Sequence, residues 1–316
     1  MTAPPLAGAL AGRTASAAAP GRWQIFWRRN RAGYGFLAPW LLGFFGLTIG
    51  PALISLYLSF TDFNLLQSPN WVGDANYLRI FTGDPKFLQA LRVTFFYVIF
   101  SVPLKLAFAL GVAMLLNRGL KGLPLYRAIF YLPSLLGASV AISVLWRELF
   151  ESDGVINQLL AHIGITGPSW ISNPRYALWT IVLLSVWQFG SPMIIFLAGL
   201  RQIPHDLYEA AAIDGAGKPR QFWSITLPML TPVVFFNAII QGIDAFKSFT
   251  PAFIISGGTG NPINSTLFYT LYLYQEGFGF FRMGYAAALA WILLIIIALF
   301  TAISFLTSRY WVYYDE

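Results

Sequence analysis

Three ionisable side chains, Lys105, Asp244 and Lys247, stand inside otherwise apolar stretches of this sequence. Charge within a membrane helix is costly, and such a group usually faces a partner or a wet cavity. Asp244 and Lys247 are three residues apart, which puts them on neighbouring positions of one helix face. Asn237 and Gln241 precede them at about one-turn spacing, and Gln188 and Ser191 share part of one face of an earlier stretch. Trp187 and Phe246 add flat apolar surfaces beside these polar groups. The set Trp187, Gln188, Asn237, Gln241, Asp244, Phe246 and Lys247 could therefore line a path for a hydroxylated solute. Its hydroxyls need directional hydrogen bonds, and its C–H faces need apolar cover. The plainer alternative is that Asp244 and Lys247 form an intrahelical pair, or bond to a partner subunit, and touch no solute.

Bond-making chemistry has less support. Cysteine is absent, which excludes disulfides, iron–sulfur clusters and thiolate metal sites. With only His162 and His205, a zinc site would have to rest on carboxylates. A phosphate-binding loop needs Gly-x4-Gly-Lys-Ser/Thr. The nearest approach is Gly217-Lys218, but Pro219 follows and Ala212 occupies the earlier glycine position. Asp244 as a general acid or base would lack a partnered catalytic constellation. The expectation is a chain that is not an enzyme and holds no metal or cofactor of its own.

The elements that must position these residues are membrane helices. The chain has 316 residues, of which 57% are hydrophobic and only 10% charged, against about 25% charged in soluble domains. A spanning helix needs roughly 20 mostly apolar residues. Six stretches qualify, near 34–60, 92–116, 125–147, 176–200, 229–255 and 283–308. The net charge of +7 does not point to nucleic acid, because the basic residues cluster beside apolar spans rather than on one face. Arg22, Arg28, Arg29 and Arg31 precede span one; Arg118, Lys121 and Arg127 lie between spans two and three. Arg201, Lys218 and Arg220 lie between spans four and five, and Arg309 follows span six. The opposite loops mix Arg79, Lys86, Arg175 and Arg282 with seven acidic residues, among them Asp84 and Glu276. This bias places both termini and the 201–228 loop in the cytoplasm. Prolines and glycines interrupt the first twenty residues, so residues 1–32 read as a disordered basic cytoplasmic tail rather than a signal peptide. Residues 33–310 are the six-span domain and 311–316 a short tail.

The 201–228 loop is long, polar and punctuated by Gly and Pro, and such loops usually have a job. Pro204-His205-Asp206 can open a helix, with Asp206 accepting first-turn amides. Leu207 to Ala212 supplies strong helix formers, including three consecutive alanines. Gly215 and Gly217 can stop that helix through positive φ, and Pro219 can start a second at its first position. The alanines make a narrow rod that fits a cleft where bulky side chains would clash.

Residues Glu209 to Pro232 read EAAAIDGAGKPRQFWSITLPMLTP. An isolated Glu-Ala-Ala triplet carries no information. The full spacing, in a cytoplasmic loop between spans four and five, closely resembles the EAA loop of ABC importer permeases. The likeness extends to Arg127-Ala-Ile-Phe-Tyr-Leu-Pro133, Trp187, Phe196-Leu-Ala-Gly-Leu200, Ser256-Gly-Gly-Thr-Gly260 and Met283-Gly-Tyr-Ala-Ala287. These segments are similar to carbohydrate permeases, in particular the first permease of a maltose-type pair. The large extracytoplasmic insertion and extra N-terminal spans of the maltose permease itself are missing.

The resemblance implies an all-α membrane protein with six transmembrane helices, the type I importer architecture and both termini cytoplasmic. It implies that Glu209, Ala210, Ala211, Asp214, Gly215 and Ala216 contact a separate ATPase, with Leu227 and Pro228 closing the motif. It also implies a second permease subunit in a heterodimer, two ATPase subunits that bind ATP and Mg, an extracytoplasmic solute-binding protein, and a bacterial inner-membrane location. The implied function is ATP-driven import of a carbohydrate, an oligosaccharide in particular, by alternating access. Lys105 and Lys247 allow an acidic cargo such as a uronate fragment, while Asp244 argues partly against it by neutralising Lys247. The rival is an ion-gradient-driven carrier, which Asp244–Lys247 fits loosely but no repeat between the halves supports.

Overall fold

The computed structural model describes residues 22–119, 122–137 and 139–313. Lys121, residues 1–21 of the expected tail and residues 314–316 lie outside the described residues. The chain divides into two compact units, Met1–Ile54 and Ser55–Glu316.

In the first unit, α1 (Arg22–Gly43) runs through a wider π-type stretch, Phe44–Ile49, into α2 (Gly50–Leu58), which carries the chain past Ile54. Trp40 stacks on Phe44 with ring centroids 5.1 Å apart. Residues 22–32, expected as disordered tail, instead form the start of α1. No proline or glycine interrupts that stretch, so nothing local stops the helix from extending toward the N-terminus.

The second unit is also helical. It comprises α3 (Ala75–Thr82), α4 (Pro85–Leu116), α5 (Leu123–Leu136), α6 (Val140–Phe150), α7 (Val155–His162), α8 (Ala177–Trp187), α9 (Gly190–Leu200) and α10 (His205–Ile213). It continues with α11 (Lys218–Gln221), α12 (Leu227–Phe246), α13 (Thr250–Ile255), α14 (Tyr269–Tyr274) and α15 (Met283–Ser308). Among the described residues, four helical runs are long and apolar enough to cross a membrane: Gly33–Leu58, Pro85–Leu116, Lys218–Phe246 and Met283–Ser308. Two further spans are broken pairs, α5 with α6–α7 and α8 with α9. Counting each bent pair as one span gives six, the number the sequence predicts, and span six matches its expected bounds.

The others depart from expectation for local reasons. Span four bends by 44° between α8 and α9. Pro192 in α9 would clash with the carbonyl four residues back, that of Gln188. That carbonyl accepts instead from Ser134 Oγ at 2.9 Å, and Ser134 Oγ in turn accepts the Ser191 amide at 3.0 Å. Span three breaks at Gly137, where a Cβ would fall 2.2 Å from Cγ of Gln188. Ser139 restarts it as an N-cap, accepting the Ile142 amide at 3.3 Å. Span five starts earlier than expected and ends at Phe246 rather than 255. Pro251 forbids a helix running through Lys247 for the same steric reason, so α13 begins afresh.

Helix α4 is the centre of the unit. It packs against α8, α9, α12 and α14, and its Ala90, Ala109 and Ala113 are fully buried. Small residues allow such close helix approach in membranes. Gly199 of α9 and Gly242 of α12 serve the same purpose: Cβ atoms there would lie 2.9 Å from Val233 and 2.5 Å from Phe300.

At the end of the bundle away from α10, Asp84 clasps three elements. Its Oδ1 caps α4 through the amides of Lys86 at 3.0 Å and Phe87 at 3.2 Å. Its Oδ2 accepts the hydroxyls of Tyr272 of α14 and Tyr285 of α15. Burial pushes the Asp84 pKa up, but the bonds from Tyr272, Tyr285 and the two amides outweigh it and hold the carboxyl below its ordinary value. The Arg79 guanidinium lies 4.6 Å from the centroid of the Tyr285 ring, and Arg282 pairs with Glu276 at 3.0 Å.

Candidate functional site: a polar cavity and a protruding helix

The breaks in spans three and four, the end of α12 and the 247–251 turn enclose a cavity of about 410 Å³ against α4. It is lined by Lys105 and Tyr97 of α4, Ser134, Gly137, Ser185, Gln188, Ser191, Gln241, Asp244, Lys247 and Ser248, among others. The structure thus brings together Gln188, Gln241, Asp244 and Lys247 of the predicted path. Trp187, Asn237 and Phe246 are not among the lining residues. Trp187 packs against Trp146 with tilted rings, centroids 5.9 Å apart. Asn237 is 1% exposed and donates to the Val233 carbonyl at 3.0 Å within its own helix. Phe246 is buried between Phe95 and Phe300. The helix period turns Phe246 away from Gln241 and Asp244, whereas Asn237 shares their face but is buried and bonded within its own helix.

Asp244 and Lys247 do form the intrahelical pair, with Nζ to Oδ1 at 3.3 Å. Both side chains are more than half exposed, so the pair adds little stability. Gln188 is less free than its sequence position suggests. Its Nε2 donates to the Gly137 carbonyl at 3.0 Å, which leaves Oε1 as its remaining acceptor. Ser134, which the sequence reading did not single out, ties the two breaks together; no spacing rule marks it.

The 201–228 loop folds as a helical hairpin. Helix α10 has nine residues, roughly 13 Å long. Asp206 does not cap it: Pro204 occupies the cap position without a side-chain bond, and Asp206 sits in the first turn. There it still suits the positive end of the dipole. Glu209 bonds His205 Nδ1 at 2.9 Å, and both are exposed. Ala210, Ala212, Ile213, Asp214 and Gly215 are exposed, while Tyr208, Ala211 and Ala216 are half-buried. Gly215 takes φ +79°, as a helix stop requires. Gly217 is extended rather than left-handed, and α11 starts at Lys218 with Pro219 second.

Gln221, 4% exposed, holds the turn. Its Nε2 donates to the carbonyls of Ala216 at 3.1 Å and Tyr208 at 3.4 Å, and its Oε1 accepts from Lys218 Nζ at 3.2 Å. Tyr208 and Thr226 join their hydroxyls at 2.9 Å. From Lys218 the helix runs unbroken to Phe246, through a wider stretch at Phe222–Thr226, with Leu227 and Pro228 half-buried inside it. Gln221 and Ile213 were missed in the sequence. A buried amide in a polar loop has no periodic signature, but an isoleucine just before Asp-Gly is a visible anomaly.

Apolar helices able to cross a membrane, a polar cavity between broken spans and a protruding hairpin are the parts of a membrane transport component. The chain belongs to the family of binding-protein-dependent transport system inner membrane components, whose family model matches residues 75–311. It is 53% identical to the "Probable ABC transporter permease protein YesP" of Bacillus subtilis (strain 168), over 91% of this chain and 93% of that protein. It is 34% identical to the lactose transport system permease protein LacF of Rhizobium radiobacter, over 88% and 94%. Its fold matches a chain of a bacterial ABC transporter involved in the import of the acidic polysaccharide alginate, with TM-score 0.74, 22% identity, and coverage of 91% and 98%. The chain is thus an ABC transporter permease component of the inner membrane.

Proposed function

We propose that this chain is one permease of a heterodimeric ATP-driven importer for an oligosaccharide, with both termini and the α10 hairpin in the cytoplasm. An extracytoplasmic solute-binding protein delivers the cargo, and two ATPase subunits, which bind ATP and Mg, drive the cycle. The observation that carries the reading is the exposed, Ala-rich α10, braced from behind by Gln221 and Tyr208. It presents Glu209, Ala210 and the Ile213-Asp214-Gly215 tip outward. An exposed apolar tip on a small rigid rod suits insertion into a groove on a partner. The carbohydrate cargo is supported by the hydroxyl and amide lining of the cavity and by sugar-named relatives such as the lactose permease. ATP-driven closure of the ATPases would push α10 and switch the cavity between the two sides of the membrane.

The test is assembly and coupling. Gly215→Asp and Glu209→Lys should each leave the chain inserted while breaking ATPase docking or uptake. Normal uptake in both variants would overturn the coupling role. Uptake by the purified chain without any ATPase would instead favour an ion-gradient carrier.

A further inference from the structure

We propose that Lys105 is an anion-recognising residue of the cavity, and that the cargo is an acidic oligosaccharide whose carboxylate it meets. This rests on the oligosaccharide-import reading above and narrows it.

Lys105 lies two-thirds of the way along α4, the helix at the centre of the unit, and is half-buried. It lines the cavity. Among the described residues it forms no ion pair and no hydrogen bond through its ammonium group. An ammonium held at such a depth in a spanning helix is expensive unless something compensates it. The one carboxylate in the same lining is Asp244, which interacts electrostatically with Lys105 but gives its contact ion pair, through Oδ1, to Lys247 at 3.3 Å. The lining therefore holds two cations that share one anion, and Lys105 is the one that makes no contact ion pair.

The neutral groups around it suit the rest of a sugar. Gln241 and Ser191 also line the cavity, and their side chains make no hydrogen bond among the described residues. They are free for hydroxyls. A lysine is a point charge on a flexible stem, so it can follow a single carboxylate that shifts during transit. A mobile charge partner fits a path better than a rigid fork, because the cargo must also leave.

The experiment uses the complete complex with its binding protein, reconstituted in proteoliposomes. Uptake is measured for trimers of galacturonate, glucuronate and mannuronate, and for galactotriose, mannotriose and maltotriose. Wild type should import at least one uronate trimer in preference to its neutral counterpart. Lys105→Gln should lower that uptake at least tenfold and erase the preference, because the cargo's carboxylate loses its charge partner. Lys105→Arg should restore most of it, which a residue needed only for folding or subunit packing would not do selectively for the acidic trimer. Import of neutral trimers alone, or a uronate preference unchanged in Lys105→Gln, would overturn the proposal and leave the carbohydrate reading standing. Import of none of the six by a complex that hydrolyses ATP would count against both.

Discussion

Gln221 does for the α10 hairpin what no surface residue can, since it fixes two backbone carbonyls of the turn from inside. Gln221→Ala leaves the Tyr208 and Ala216 carbonyls without their donor, a loss of roughly 1–3 kcal/mol of local stability. We expect this variant to bind the ATPases with reduced transport per ATP hydrolysed, read as the ratio of uptake to phosphate release. An unchanged ratio would mean that the turn holds without it. Asp84 makes a second prediction. Removing it in Asp84→Ala deletes a helix cap and strands two tyrosine hydroxyls, together roughly 2–4 kcal/mol. Because its folded pKa is depressed, its contribution is present above the ordinary carboxylate pKa near 4 and is lost as pH falls through the lower folded value. The difference in melting temperature between wild type and Asp84→Ala should hold from pH 7 to 5 and shrink only in stronger acid. Among single residues, the sequence pointed to Asp244, Lys247, Gln241 and Gln188, because charge and amide in apolar runs are conspicuous. It could not show that Gln188 donates to Gly137 or that Asn237 points back into its own helix. Those outcomes depend on where neighbouring helices pass.

At the level of elements, the joints are set by steric contacts that hydropathy cannot see. Met283–Ser308 keeps its predicted bounds because no proline falls inside it and its glycine sits in the first turn. Spans three, four and five hide their breaks inside apolar windows, where Pro192 and Pro251 act only through carbonyls four residues back. Helix α14 is six residues long, too short for any spanning test, so an aromatic-rich stretch passed as loop. Gly284 is where α15 meets the loop after α2: its amide donates to Phe63 at 3.0 Å, and a Cβ would lie 2.0 Å from the Thr61 carbonyl oxygen. Gly284→Ala should therefore destabilise by roughly 1–3 kcal/mol. Gly279→Ala, where a Cβ meets nothing within 4 Å, should cost much less. Thermal melts of the two variants in one detergent compare them directly; equal melting temperatures would show that the 61–63 loop yields at little cost.

For the whole molecule, the proposed orientation is open to a clean chemical test, because the natural chain contains no cysteine. Single cysteines at Leu66 and Ile213, which are 84% and 88% exposed, should report opposite faces. An impermeant maleimide should label Leu66→Cys in intact cells and Ile213→Cys only after the membrane is opened. The reverse pattern would invert the proposed topology. The helix from Lys218 to Phe246 has a further consequence. Its 29 residues make a rod roughly 40 Å long, with the clamped hairpin at one end and Gln241 and Asp244 at the other. The helix stays continuous through its π-type stretch at Phe222–Thr226 and past Pro232, so a tilt imposed at the hairpin is carried toward the floor of the cavity. Such a crank cannot idle: whatever turns one end repositions the groups that would hold the cargo at the other.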